Sequence, residues 1–203
     1  MIDLFKSTVL MFVLLNPFLV IVYLVDMLET LEKKQFKKTL IQGAMIASAV
    51  FCSFAIVGDF IFSGIVQAEF ASFQIFGGVV FLLIGLQFVF RGPTAIEILR
   101  GDSKGLAGAI AMPVLIGPGT IGASVIIGKR HETLAASAII LVAVFTSVLI
   151  MLLLKALHDY VRPRNEPLIS RYIEVAGRIM ALYVGTVAVD MIMQGLRIWA
   201  GKF

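Results

Sequence analysis

Met11-Phe12-Val13-Leu14-Leu15-Asn16-Pro17-Phe18 and Met112-Pro113-Val114-Leu115-Ile116-Gly117-Pro118-Gly119 are uncharged apolar stretches that align at a constant offset of 101 residues. A proline inside a helix has no amide to donate and clashes with the carbonyl four residues back. Each stretch therefore predicts a helix broken near its middle. In a bilayer, backbone opened in this way is tolerated only where protein buries it or where it lines a cavity. Broken helices at corresponding positions of two halves of a membrane chain point to a transport site.

The surrounding chain predicts that bilayer setting. Of 203 residues, 60% are hydrophobic and 15% charged, and the mean hydropathy is +1.01, too apolar for a soluble domain. Uncharged or nearly uncharged runs cover Ser7 to Val25, Thr39 to Gly58, Phe70 to Phe90, Gly105 to Gly128, Thr133 to Leu154 and Ile173 to Leu196. A spanning helix needs about 20 apolar residues. The expectation is thus an all-α polytopic membrane protein, one transmembrane domain over 1–203 with six transmembrane helices and no room for a soluble catalytic domain. The first run is long, has only Lys6 as a basic leader and is followed by Asp26 and Glu29, so it reads as a retained helix and not as a signal peptide. Cys52, the only cysteine, allows no internal disulfide.

A formal charge of +4 would suit an acidic partner, but its distribution points to membrane orientation instead. With the N-terminus outside, eleven lysines and arginines fall on the inner side and five on the outer, Arg178 lying within the last helix. The positive-inside rule then places both termini outside. Nucleic acid is not an expected partner; membrane lipid is.

The repeat extends past the prolines. Gly58-Asp59-Phe60 matches His158-Asp159-Tyr160, and Gly77, Leu82, Gly85 and Val89 match Gly177, Leu182, Gly185 and Val189, all at an offset of 100. Each identity is weak, and the near-constant offset is the signal. The reading is two three-helix repeats, 1–91 and 105–203. Three being odd, the second must enter the membrane from the opposite side, an inverted repeat about a pseudo-two-fold axis in the membrane plane. Lys129-Arg130-His131-Glu132 reads as a tight turn between helices 4 and 5, and Pro163 and Pro167 as punctuation before helix 6.

At the breaks, Asn16 before Pro17 has the form of a helix N-cap with proline at the first helical position, and Gly117 before Pro118 repeats it with glycine. Each break would start a half-helix whose free amides and partial positive charge favour an anion. The carbonyls of Val13 and Val114 lose their partners to the prolines. Adjacent donors and acceptors suit a small zwitterion, its carboxylate on the amides and its ammonium on the carbonyls. Asn16 could serve either group; Gly117, Gly119 and Gly122 permit close backbone approach, and Thr120 adds a hydroxyl. The structural alternative is a pair of prolines that only kink packed helices.

Leu15-Asn16-Pro17-Phe18, Gly77-Gly78-Val79-Val80-Phe81-Leu82-Leu83-Ile84-Gly85 and above all Ala111-Met112-Pro113-Val114-Leu115-Ile116-Gly117-Pro118-Gly119-Thr120-Ile121 resemble the signatures of the MarC family of bacterial and archaeal inner-membrane proteins. The resemblance spans the chain. It implies six helices in two inverted repeats and, from the SnatA branch, transport of small neutral amino acids such as glycine or alanine. Leu19 and Val22 stand where the family usually has a glycine and a further proline, and Gln74 and Ala181 where it usually has an arginine and a glycine.

Asp190 stands where the resemblance would place glutamine. An acidic residue inside a span is expensive in hydrocarbon and is a functional candidate by default, here for proton coupling. The alternative is a bond to Gln194 one turn on, or to Arg197. Arg178 follows Glu174 by four residues, a structural ion-pair spacing near a boundary where arginine can snorkel. His131 and His158 have no second histidine or cysteine near them in sequence, so neither a metal nor a cofactor is expected.

The sequence thus predicts a secondary transporter exporting or exchanging small neutral amino acids by alternating access, with Val13, Asn16, Pro17, Val114, Gly117, Pro118, Gly119 and Thr120 forming the substrate site. A non-transporting accessory factor is the alternative. An intramembrane enzyme would need paired aspartates or a zinc motif, neither of which the sequence displays. Substrate identity, direction, coupling ion and oligomeric state are not legible in it.

Overall fold

Helix length separates two kinds of element. The structure, a computed structural model, describes residues 2–17, 20, 24, 31–66, 69–91, 115–161 and 166–201. Among these the regular structure is helical: α1 (Ile2–Leu15), α2 (Lys33–Phe60) running into a π-helical turn (Ile61–Val66), α3 (Phe70–Arg91), α4 (Pro118–Arg130), α5 (Thr133–Val161) and α6 (Glu166–Ala200). A helix rises about 1.5 Å per residue, so a hydrocarbon core of about 30 Å needs about 20 residues. Lys33–Gly58, Phe70–Gln87, Thr133–Val161 and Ala181–Ala200 meet that length and are apolar enough to span. With 14 and 13 residues, α1 and α4 reach only about 20 Å each. One ends and the other begins at a proline.

The main core is drawn from α1, α2, α4 and α5. Met11 and Leu15 of α1, Phe36, Leu40 and Phe51 of α2, Ile127 of α4 and Ile140 and Met151 of α5 are buried together. On α5 the inward stripe is Ala136, Ile139, Ile140, Ala143, Val144, Ser147 and Met151, while Leu134, Leu141, Phe145, Leu149 and Leu153 are exposed. Three small residues, Ala136, Ala143 and Ser147, on the inward stripe and large ones on the outer face are the pattern of a helix that packs closely on its neighbours and turns apolar bulk toward lipid. Cys52 of α2 lies beside Ser137 of α5, and the ammonium of Lys155 stands 5.8 Å from the centroid of the Phe36 ring, so α2 and α5 run antiparallel.

The second packing unit is the α3–α6 pair. A Cβ on Gly78 would come within 2.7 Å of the Ala188 carbonyl, one on Gly195 within 2.8 Å of the Ala71 carbonyl, and one on Gly85 within 3.2 Å of the Gly185 amide. Numbers fall on α3 as they rise on α6, so this pair is also antiparallel, and it is held at backbone distance by glycine. Phe62, in the π-helical turn, closes an aromatic cluster with Phe70 and Phe73 at centroid separations of 5.3 and 5.0 Å.

Two elements depart from the sequence reading. Helix α6 begins at Glu166, not Ile173, because Pro167 falls in its first turn, where its missing amide costs nothing. Lys155 is not a loop charge: only 4% exposed, it lies in α5 and bonds the Asp159 carboxylate one turn on at 2.7 Å. The tight turn is as expected, with α4 ending at Arg130 and α5 starting at Thr133. His131 in that turn hydrogen-bonds Ser7 of α1 at 2.9 Å.

Glycine spacing makes a stability prediction. A Cβ at Gly128 would overlap the Ala55 carbonyl of α2, whereas one at Gly185 meets nothing within 4 Å. Gly128→Ala should destabilise the purified protein by about 1–3 kcal/mol as an overpacking change. Gly185→Ala should stabilise it by up to about 1 kcal/mol through helix propensity. Thermal unfolding in detergent reads both.

Candidate functional site

The two breaks are built differently. At the first, Asn16 has a φ of 39°, in the left-handed region that asparagine tolerates better than most residues. Its amide donates to the Phe12 carbonyl at 3.0 Å and closes α1. Its carbonyl accepts the Val20 amide, also at 3.0 Å. Asn16 thus ends one helical segment and starts the next, whereas the sequence suggested an ordinary N-cap. Pro17 is buried beside it and Asn16 is half-buried.

The second break is a conventional helix start. Gly117 is extended, with φ −109° and ψ 166°, and Pro118 takes the first helical position. The Thr120 hydroxyl, 4% exposed, accepts the Gly117 amide at 2.9 Å. It can donate in turn to the carbonyl of Gly117 at 2.9 Å or of Leu115 at 3.1 Å. The Thr120 hydroxyl is therefore spent on the break itself. Ile121 makes the first intrahelical bond, to the Gly117 carbonyl at 3.0 Å. Pro118 has no amide, so the donors left at this N-terminus are the amides of Gly119 and Thr120, which have no partner among the described residues.

The residues that carry those amides are buried in a narrow seam. A Cβ on Gly119 would lie 3.5 Å from the Met191 sulfur of α6, 3.6 Å from the Phe81 ring of α3 and 3.8 Å from Leu14 of α1. Gly117 is tighter still, its Cβ falling 2.6 Å from Phe81, and Gly77 admits Pro118 directly against the α3 backbone. The first turn of α4 thus meets α1, α3 and α6 at once, where the main core abuts the α3–α6 pair. Leu14 immediately follows Val13, so the broken end of α1 reaches the broken start of α4.

Other expected members stand differently. The Val13 carbonyl, deprived of its helical donor by Pro17, lies 3.3 Å from the Tyr183 hydroxyl of α6, which donates to it. A carbonyl has two lone pairs, so one acceptor position is left. Asp190 is exposed and accepts a 2.7 Å bond from the Gln194 amide, the local pairing weighed against proton coupling; its neighbour Met191, not Asp190, faces Gly119. Val114, Leu19 and Val22 lie outside the described residues. A separate groove, of about 530 Å³ and lined by Asp3, Lys6, Ser7, Leu10, Arg130 and His131, contains none of the expected site residues.

Sequence reasoning missed Tyr183, Phe81 and Met191. No spacing rule joins Tyr183 to a carbonyl 170 residues away. Phe81 was within reach, since it lies in the quoted glycine-rich run one turn from Gly77 and Gly78.

The model of the MarC family of integral membrane proteins matches residues 1–200. Among curated proteins, the chain is 29% identical to a UPF0056 membrane protein of Methanocaldococcus jannaschii over 92% of each chain. It is 24% identical to a UPF0056 membrane protein of Aquifex aeolicus, over 95% of this chain and 91% of the relative, and 20% identical to one of Buchnera aphidicola, over 97% of each. No solved structure matches it significantly. With two broken helices meeting among apolar spans and a match along nearly its whole length, the chain belongs to the MarC family of multi-pass integral membrane proteins.

Proposed function

We propose that this protein is a secondary transporter of small neutral amino acids in the inner membrane, exporting or exchanging them by alternating access around the two breaks. The observation that carries the reading is the start of α4: two amides without described partners at a helix N-terminus, in a seam between four helices. Such a terminus favours an anion. A carboxylate offers two oxygens to the amides of Gly119 and Thr120, and the second lone pair of Val13 is available to an ammonium. Phe81, Met191 and Leu14 crowd the space beyond Gly119, which suits a side chain as small as that of glycine or alanine.

Packing supports an inverted repeat. Under exchange of the halves, α1 against α5 becomes α4 against α2, and both pairs are in contact. The α2–α5 and α3–α6 pairs would map onto themselves, as antiparallel pairs crossing a two-fold axis must. Gly85 and Gly185, repeat mates at an offset of 100, touch each other. The division between the main core and the α3–α6 pair supplies two bodies that could rock about a site at their seam.

Three outcomes test this reading. Tags at Met1 and Phe203 should both be reached from outside the cell and one in the loop before Lys38 only from the cytoplasm; a terminus inside would break the repeat.

Restoring an amide with Pro118→Ala, or filling the seam with Gly119→Leu, should abolish glycine and alanine binding and transport in proteoliposomes. Leu141→Phe, on the exposed face of α5, should leave both intact. Folded Pro118→Ala and Gly119→Leu proteins that transport at the normal rate would place the site elsewhere.

For coupling, Asp190→Asn keeps a partner for Gln194 but cannot carry a proton. It should remove the pH dependence of transport with little loss of substrate binding. An unchanged pH profile would leave Asp190 with its structural bond alone.

A further inference from the structure

One buried polar group near the seam has no partner. Gln74 of α3 is 5% exposed, and its side-chain carbonyl oxygen, Oε1, is shielded from solvent without a hydrogen bond. Buried acceptors are almost always paired, and one that is not needs an explanation.

The neighbours of Gln74 place it among the helices. Two stripes run along α3. Ala71, Ile75, Gly78 and Gly85 meet α6, through Gly195, Ala188, Ile192 and Gly185. Phe70, Gly77 and Phe81 meet α4: the Phe70 ring lies 3.4 Å from a Cβ on Gly122, Gly77 admits Pro118, and Phe81 packs on Gly117. Gln74 is four residues after Phe70 and three before Gly77, and also three after Ala71 and four before Gly78, so it lies on the edge between the two stripes, where Gly77 meets both Pro118 of α4 and Met191 of α6. The α4 contacts on either side of it, Gly122 and Pro118, bracket Gly119, Thr120 and Ile121. Gln74 is therefore at the level of the first turn of α4, at the corner where α3 meets both α4 and α6 and beside the seam that holds the unpartnered amides.

The geometry points to Gln74 as a substrate-recognition residue, its Oε1 accepting a hydrogen bond from the ammonium of a small amino acid whose carboxylate rests on the Gly119 and Thr120 amides. The inference rests on the transporter reading above and adds to it. The amides supply donors for one end of a zwitterion, and Gln74 supplies an acceptor for the other. A ligand lacking the ammonium would leave Oε1 buried and unpaired, and a site with a buried group to satisfy rejects the analogue that cannot satisfy it. Without ligand the same group works against folding, a trade of stability for function seen where buried polar groups serve binding.

The test compares wild type with Gln74→Met, similar in length but without the amide, using L-alanine and propionate, which differs from alanine only in lacking the amino group. Binding is read by calorimetry on detergent-purified protein, and melting temperature without ligand is measured alongside. The expected result is a Met variant that melts no lower than wild type, binds alanine at least tenfold more weakly and loses most of the preference for alanine over propionate. Gln74→Glu, which keeps an acceptor at the same reach, should retain more of that preference than Met. Alanine affinity within twofold of wild type in a folded Met variant would overturn the assignment. So would an equal loss of alanine and propionate, or a melting temperature several degrees lower, which would mark a structural partner. Wild type that binds neither glycine nor alanine would overturn the transporter reading together with it, whereas alanine binding unaffected by the Met variant overturns the role of Gln74 alone.

Discussion

In hydrocarbon every backbone amide and carbonyl must find its partner within the protein, because water is absent and an open group costs several kcal/mol. Proline violates that condition by removing a donor, and this chain does so in two helices at once. The structure repairs most of the damage locally. Asn16 adopts a left-handed conformation so that its amide closes α1 and its carbonyl opens the next segment. Thr120 returns its hydroxyl to the Gly117 amide. Tyr183 reaches across from α6 to the Val13 carbonyl. After these repairs, the amides of Gly119 and Thr120 have no partner among the described residues, and both residues are buried where α4 meets α1, α3 and α6.

Close packing is what buries the first turn of α4. Gly77 brings Pro118 against α3, Gly117 admits the Phe81 ring, and Gly78, Gly85 and Gly195 bring α3 and α6 to backbone contact. Large side chains at these positions would hold the helices apart and let lipid or water into the break. The glycines and prolines therefore act at the same place: one set opens backbone groups, and the other lets the neighbouring helices close around them. The division of labour also explains why the main core contains large residues such as Phe36, Phe51 and Met151, while the α3–α6 pair is built on small ones.

Much of this was legible from local rules. Two prolines in apolar segments predict two interrupted helices, because the missing amide is a property of the residue itself. Run length predicted the long spans, and α2, α3, α5 and α6 contain them. Boundaries were less legible: α6 begins earlier than its apolar run because Pro167 is harmless in a first turn. Lys155 was counted as a loop charge because sequence cannot show that a long lysine stem will bury along a helix and end on Asp159. At the site, the capping of Gly117 by Thr120 follows a known three-residue spacing. The Tyr183 bond and the placing of Gln74 where α3 meets both α4 and α6 depend on which helices become neighbours, and no window of sequence contains that.

The chemistry left at the seam differs from that of a site built on charged side chains. Its donors are backbone amides backed by the partial positive charge of a helix end, and its walls are Leu14, Phe81 and Met191. Under the proposed transporter reading, such a site would take a zwitterion through backbone groups that do not change charge with pH, without needing the solute to be protonated or deprotonated. Any coupling to a proton must therefore come from a group outside the seam. Asp190 is such a group, next in sequence to Met191 yet turned outward and bonded to Gln194. A change at its carboxylate could reach the seam only through movement of α6, the helix that also carries Tyr183 and Met191. Under the proposed transporter reading, coupling and binding would then share one helix while using different faces of it, with α6 moving as a unit to link them.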